Sequence, residues 1–222
     1  MMDEFTAPTP RRGFFGRLTA AAIGLGAGSL LPASALAEAG TSRGADPQLE
    51  AWFRKLEAGK HRAVFDAPEP NSGMPAIWPR IYLNTTDATY PGEASRAMVI
   101  LRHSALALAF QESIWAKYHL GEMFNIKNGD VPATSNPSGT ITNLPLPGLG
   151  IAELLKGGVL VGACDVALTI YSAGAATKMG MAPEAVKKEW IAGLYPGIQL
   201  VPSGVFAAAR AQEFGARYIF AG

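Results

Sequence analysis

The alternation of short, continuous apolar runs with helical segments constrains the fold of this chain most strongly. Five such runs occur, at residues 62–66, 97–101, 159–163, 198–201 and 218–220, and sequence with helical periodicity lies between them. Strands that are apolar throughout are typical of a parallel sheet whose two faces are both covered by helices. We therefore predict a three-layer α/β/α sandwich with a mostly parallel five-stranded sheet.

The N-terminal 37 residues have the three parts of an export signal. Arg11 and Arg12 precede an apolar run at 18–31, which is shorter than the roughly 20 residues that a membrane span needs. Ala35 and Ala37 then form an A-x-A cleavage pattern. The order resembles that of twin-arginine (Tat) signal peptides, which implies export by the Tat translocase, cleavage after Ala37 and a periplasmic location. The alternative is a buried N-terminal helix that follows a basic patch.

The composition of the remaining chain excludes several function classes. Basic and acidic side chains balance in residues 38–222, so there is no electrostatic case for binding nucleic acid. After cleavage no other segment is long and apolar enough to span a membrane. The chain has one cysteine, Cys164, and therefore forms no internal disulfide.

The chain after the predicted signal peptide divides into a short leader region and one domain. Residues 38–59 are predicted to be a polar leader followed by a short amphipathic helix, and residues 60–222 are predicted to be the α/β domain. Within that domain, residues 125–150 are rich in Asn, Pro, Gly, Ser and Thr and have no periodicity. We expect an irregular insertion there, of the kind that often forms a lid or a binding loop.

Polar and reactive side chains follow the predicted strands at the point where each strand ends. In an open parallel sheet this edge is where ligands bind. The residues that the topology assigns to it are Asp66, Arg102, His103, Cys164, Asp165, Ser203 and Gly204. The three histidines and the cysteine share no metal-ligand spacing, so we predict no metal site, and the sequence identifies no cofactor.

Cys164 is the first candidate for chemistry because it lies where a strand passes into a helix. The free N–H groups at a helix N-terminus stabilise a thiolate, whereas the neighbouring Asp165 carboxylate opposes it. The alternative is that Cys164 is a small buried apolar residue, as most free cysteines are.

The other candidates also have two interpretations each. His103 is either an acid–base group or a structural residue that caps the next helix. Arg102 either holds an anion or is solvated, and Asp66 is either an acid or a turn residue. Ser203 is more typical of a helix N-cap than of a nucleophile, because no G-x-S-x-G motif surrounds it.

Four segments in this order, at residues 99–104, 161–168, 202–205 and 218–220, resemble the DsrE/DsrF-like family, and in particular its exported, Tat-signal-bearing branch of uncharacterised proteins. The resemblance covers residues 60–222. It implies a flavodoxin-like sandwich that assembles into trimers or hexamers. It further implies that Cys164 carries sulfur as a persulfide in a relay with a partner enzyme, with His103 at a matching position. Asp165 departs from the small residues that often follow the family cysteine.

Three hypotheses for the function follow. The first is an exported thiol or sulfur-carrier protein that acts through Cys164. The second is a non-catalytic module that binds a small ligand or cofactor under a roof formed by residues 125–150. The third is a structural subunit of an oligomer in which Cys164 only packs. Whether the protein is an enzyme stays open at this point.

Overall fold

The computed structural model describes residues 46–139, 141 and 144–222. The predicted signal peptide at 1–37 and the leader up to residue 45 lie outside the described residues. The described residues form seven strands: β1 His61–Ala67, β2 Ser95–Leu101, β3 Lys127–Asn128, β4 Val131–Pro132, β5 Leu160–Cys164, β6 Gln199–Val201 and β7 Arg217–Phe220.

Eight α-helices and three 3₁₀ segments connect the described strands. The helices are α1 Pro47–Arg54, α2 Trp78–Thr89, α3 Glu112–Tyr118, α4 Leu120–Met123, α5 Ile151–Lys156, α6 Asp165–Met179, α7 Pro183–Ala192 and α8 Gly204–Glu213. The 3₁₀ segments are Lys55–Ala58, Asn71–Ala76 and His103–Ala109. Among the described residues, no helix is both long and apolar enough to cross a membrane.

The main sheet has five strands in the order β6-β5-β2-β1-β7, and every neighbouring pair is parallel. β1 and β2 run in register from His61 and Ser95 to Ala67 and Leu101, so their carboxyl ends are level. The chain adds β2, β5 and β6 on one side of β1 and then returns to place β7 on the other side. The predicted α/β class with a five-stranded parallel sheet is thereby confirmed.

Alternate residues of the central strands enter two separate cores. Phe65, Val99 and Leu101 pack with the apolar sides of α2 to α7. Val64, Met98 and Ile100 pack with a second cluster to which α1 and α8 contribute. The strands are continuous apolar runs because both of their faces are buried, and the structure is therefore a sandwich of three layers.

The periodicity of the sequence predicts helices at residues 73–86, 104–110 and 113–124, and the structure differs in each case. The first begins instead at Trp78, after the 3₁₀ segment Asn71–Ala76, in which Gly73 has a φ of +84° that is not helical. The helix predicted at 104–110 is a 3₁₀ segment. The helix predicted at 113–124 is divided into α3 and α4 at His119, whose φ of +49° is left-handed.

Residues 125–150 pack against the helical layer as far as they are described. The strands β3 and β4 form a small antiparallel pair in this segment. The Asn136 side-chain amide donates to the carbonyl oxygens of Leu108 and Phe110, at 3.0 Å each. Arg80 on α2 donates through Nε to the carbonyl oxygen of Gly148, at 3.3 Å. Apart from residues 140, 142 and 143, which are not described, the segment makes no hydrogen bond with Arg102, His103 or Cys164.

Candidate functional site

The predicted site residues lie at the carboxyl ends of the strands or directly after them. Asp66 is the penultimate residue of β1, Arg102 follows β2, and Cys164 is the last residue of β5. Ser203 and Gly204 open α8 just after β6. The side chains divide into a group around Asp66, a group around Cys164, and His103.

Asp66 is the centre of the first group. Its carboxylate is almost fully buried, and it accepts from Arg102 Nε at 2.7 Å and from Arg102 Nη2 at 2.9 Å. The Tyr218 hydroxyl donates to Asp66 Oδ2 at 2.7 Å. Two parallel N–H···O bonds between a guanidinium and a carboxylate form a geometrically specific pair. Asp66 is therefore neither a turn residue nor a free acid but the anchor of Arg102.

These contacts determine the protonation of the group. The hydrogen bonds from Arg102 to Asp66 raise the pKa of the Arg102 guanidinium, burial opposes this effect, and the charge of Asp66 adds to it. Burial, followed by the hydrogen bond to Asp66 and its charge, raises the pKa of the Tyr218 hydroxyl. At neutral pH Arg102 is charged, and the Tyr218 phenol retains the proton that it donates.

Tyr218 was not among the residues that sequence reasoning selected. It lies in β7, where it pairs with Val64 of β1 and faces the same side of the sheet as Asp66. The only sequence signal is a tyrosine in a short terminal apolar run. That signal becomes informative once β7 is known to lie beside β1.

Gly204 lets the Arg102 stem lie close to the start of α8. A Cβ atom at Gly204 would lie 2.5 Å from Arg102 Cβ and 2.8 Å from its Cδ, which is closer than real atoms approach. The contribution of Gly204 to this edge is therefore space for the arginine stem.

Cys164 is the N-cap of α6, as its position at the end of a strand predicted. Its Sγ accepts a hydrogen bond from the backbone N–H of Ala167 at 3.4 Å. The residue is 5% exposed and belongs to the core that packs against α2 to α7. The sulfur is thus held at a helix N-terminus, and it is also largely covered.

Asp165, the next residue, is directed toward α7. Its Oδ1 lies 3.0 Å from the Lys187 ammonium, which also donates to Thr169 Oγ1 at 2.8 Å. The charge that was expected to oppose a Cys164 thiolate is therefore paired with Lys187. The Asp165 carboxylate, which the sequence predicted to be a ligand-binding group, is therefore already engaged by Lys187.

Ser203 caps a helix, whereas the His103 side chain does not: it is the first residue of the segment His103–Ala109, which has no side-chain cap. His103 is exposed and has a φ of +48°, and its ring centroid lies 6.0 Å from that of Tyr171 on α6. No described side chain forms a hydrogen bond with the His103 ring. Ser203 is the N-cap of α8, and its hydroxyl oxygen accepts from the backbone N–H of Phe206 at 3.2 Å. The N-cap interpretation of Ser203 is confirmed.

Two surface grooves lie away from these residues. One, of about 410 Å³, lies between α2 and β7 and is lined by Trp78, Tyr82 and Phe220 among others. The other, of about 610 Å³, is lined by Trp52, Lys55 and Tyr195 among others. Neither groove is lined by a predicted site residue. In the part of the chain that the structure describes, no three His, Cys, Asp or Glu side chains are grouped in a way that could hold a metal ion.

Comparisons with known proteins give a distant structural likeness. No protein-family model matches the sequence, and no curated protein matches it. The chain is similar to a solved structure described as that of a protein of unknown function, MTH1491, from Methanobacterium thermoautotrophicum. The two share 17% identity with a TM-score of 0.39, and the match covers 72% of this chain and 99% of the other.

Proposed function

We propose that this protein is an exported, DsrE/DsrF-like thiol protein that carries sulfur on Cys164. The observation that carries the proposal is the position of Cys164, which caps α6 at the carboxyl edge of the sheet. The amide of Ala167 donates to its sulfur, and a helix N-terminus favours a negatively charged sulfur atom. Arg102 and Cys164 follow the paired residues Leu101 and Ala163 of neighbouring strands, and Asp165 is paired with Lys187.

The transfer step is an exchange at a sulfane sulfur. The Cys164 thiolate attacks a terminal sulfur of a polysulfide dianion, and a bond forms between Sγ and that sulfur. The sulfur–sulfur bond behind it breaks, and the shortened polysulfide leaves with the electron pair of that bond. The product is a Cys164 persulfide anion, and no external oxidant is consumed. A partner enzyme of a sulfur relay would accept the sulfur by the same exchange in reverse.

The test is mass spectrometry of the folded protein after treatment with polysulfide. We expect a gain of about 32 Da on Cys164 that a thiol reductant reverses. The variant Cys164→Ala should show no gain. Wild-type protein that stays unmodified in its folded state, but is modified after unfolding, would contradict the proposal.

The second candidate is a structural role for Cys164, and its 5% exposure favours this alternative. A covered sulfur must become accessible before it can exchange with a solute. Labelling with a small neutral alkylating reagent separates the two functions. Reaction of the native protein at a measurable rate supports the carrier, whereas reaction only in denaturant supports packing.

The proposal includes the cellular setting and the assembly. Export by the Tat translocase delivers a folded protein to the periplasm, and we propose that subunits assemble there into trimers or hexamers. Sedimentation analysis of the mature protein tests the assembly directly. A monomer at micromolar concentration would contradict this part of the proposal and would leave the chemistry of Cys164 to its own test.

A further inference from the structure

We infer that Arg102, which follows β2 at the same sheet edge at which Cys164 ends β5, is an anion-recognition residue, and that Tyr218, acting through Asp66, positions it. The inference rests on the proposed function, because it assigns the binding of the anionic end of the sulfur donor. It adds a residue, Tyr218, and a ligand class, a small dianion, to that function.

Part of the Arg102 guanidinium has N–H groups that donate no hydrogen bond to a described residue. Nε and Nη2 donate to the two oxygens of Asp66. Within residues 46–139, 141 and 144–222, no group accepts a hydrogen bond from Nη1, and the side chain is 27% exposed. A guanidinium has five N–H donors in a rigid planar arrangement, so the free edge can bind the oxygen or sulfur atoms of an anion.

Arg102 is held in one orientation by Asp66 and Gly204, and Asp66 is itself held by Tyr218. Asp66 binds two of its nitrogens, and Tyr218 in turn binds Asp66 Oδ2. The aliphatic stem of Arg102 lies against Gly204, where a side chain would not fit. A side chain that is already ordered loses little conformational entropy when a ligand binds, and this pre-organisation increases affinity. A solvated surface arginine needs no such set of partners.

Backbone N–H groups at the start of α8 are additional donors on the side of the Arg102 stem. The backbone N–H groups of Gly204 and Val205 have no acceptor among the described residues, whereas those of Phe206 and Ala207 bond to Ser203. They lie at the start of α8, which has ten residues, and the Arg102 stem passes close to Gly204. Asp66 offsets the charge of Arg102, so these amides and the positive end of the helix add the attraction for an anion that the ion pair alone lacks.

The experiment is a titration of sulfate, a dianion that does not react with thiols, into the ¹⁵N-labelled Cys164→Ser protein. We expect saturable shifts at Arg102 Nε and at the Gly204 amide. Arg102→Met should weaken binding at least tenfold, and Tyr218→Phe should weaken it severalfold. Arg102→Lys, which keeps the charge without the two-nitrogen contact, should also bind more weakly. Arg54→Met, which changes an arginine exposed at the surface, is the matched control and should bind like the parent.

Each outcome has a defined meaning. Shifts that stay linear with concentration, or an affinity of Arg102→Met equal to that of the parent protein, would overturn the anion site. Unchanged affinity in Tyr218→Phe would overturn the positioning role. Because Cys164 is absent from the titrated protein, sulfate binding without sulfur uptake by the wild type would refute the carrier function alone. Sulfur uptake without sulfate binding would refute only this inference.

Discussion

Asp66 illustrates how a single residue can acquire its role from long-range contacts. Its neighbours in sequence are apolar, and its strand is buried on both faces. A carboxylate in such a place is unfavourable unless it is paired and hydrogen-bonded. Arg102 and Tyr218 provide three hydrogen bonds from other strands or strand ends. The same contacts that make the carboxylate tolerable also orient the arginine.

Replacement of this carboxylate should be costly. We expect Asp66→Ala to lower the free energy of unfolding by about 3 kcal/mol, because it removes one partner of a buried ion pair and leaves Arg102 uncompensated. Urea denaturation of both proteins measures the change. The control is Glu153→Gln, which removes an exposed ion pair with Lys156 and should change stability by less than about 0.5 kcal/mol. A similar, small effect of both substitutions would contradict the structural role of Asp66.

Tyr118 provides a prediction for alkaline pH. Its hydroxyl donates to Glu189 at 2.8 Å, and burial, with that hydrogen bond and charge, raises the pKa of Tyr118 to about 12. The unfolded chain ionises its tyrosines near pH 10, so it loses this proton first. The stabilisation from Tyr118 is therefore complete below about pH 10 and is lost as the pH rises to about 12.

Denaturation series between pH 9 and pH 12 test this expectation. The stability of the wild type should fall more steeply than that of Tyr118→Phe, in which the titrating hydroxyl is absent. Equal slopes for the two proteins would mean that the Tyr118 hydroxyl does not titrate differently in the folded and unfolded states.

At the scale of elements, the two N-caps at the carboxyl edge show that one position can serve different purposes. Cys164 caps α6 and Ser203 caps α8, and in each case the side chain accepts the N–H three residues later. Serine is a common N-cap, whereas cysteine is not among the preferred residues. A serine at position 164 would cap α6 better than cysteine does, so the stability of the helix does not explain the cysteine at its start.

The cap at Ser203 makes a measurable contribution. We expect Ser203→Ala to destabilise the protein by about 1 kcal/mol, because the N–H of Phe206 loses its acceptor. Ser203→Asp should restore most of the loss, since a carboxylate caps equally well and interacts favourably with the helix dipole. If Ser203→Asp were as destabilised as Ser203→Ala, the hydroxyl would serve something other than capping.

The helix predictions failed where single residues adopt left-handed backbone angles. His119, with a φ of +49°, interrupts an otherwise helical stretch, and Trp115 and Tyr118 on its N-terminal side are buried in the core. Histidine is among the non-glycine residues that are enriched at φ angles above zero, but such angles are uncommon for it as well, so a histidine does not by itself predict a break in a helix.

At the scale of the whole molecule, residues before the α/β domain complete one of its layers. Trp52, Phe53 and Leu56 are buried in the same cluster as the inner side of α8. A Cβ at Gly162 in β5 would lie 3.1 Å from the Trp52 ring, so the glycine allows this close contact. The helix predicted at 49–59 is thus part of the core.

The export prediction concerns the predicted signal peptide at residues 1–37. We expect the double variant Arg11→Lys and Arg12→Lys, which keeps the charge, to remain in the cytoplasm as the uncleaved precursor, because the Tat signal pattern requires the paired arginines. The wild type should be recovered from the periplasm with Glu38 as its N-terminal residue. Fractionation and N-terminal sequencing are the measurements, and equal export of both proteins would contradict the Tat assignment.

The sequence alone determined the layered architecture, because burial on both faces makes each central strand apolar throughout, and that pattern is local and readable. It also determined which residues follow the strands, since parallel strands end at a common edge. The tertiary structure decided which of those side chains meet. Asp66 contacts Arg102 across 36 residues and Tyr218 across 152, and these contacts depend on the order of strands in the sheet. The covering of the Cys164 sulfur likewise follows from the packing of distant helices, which local periodicity does not encode.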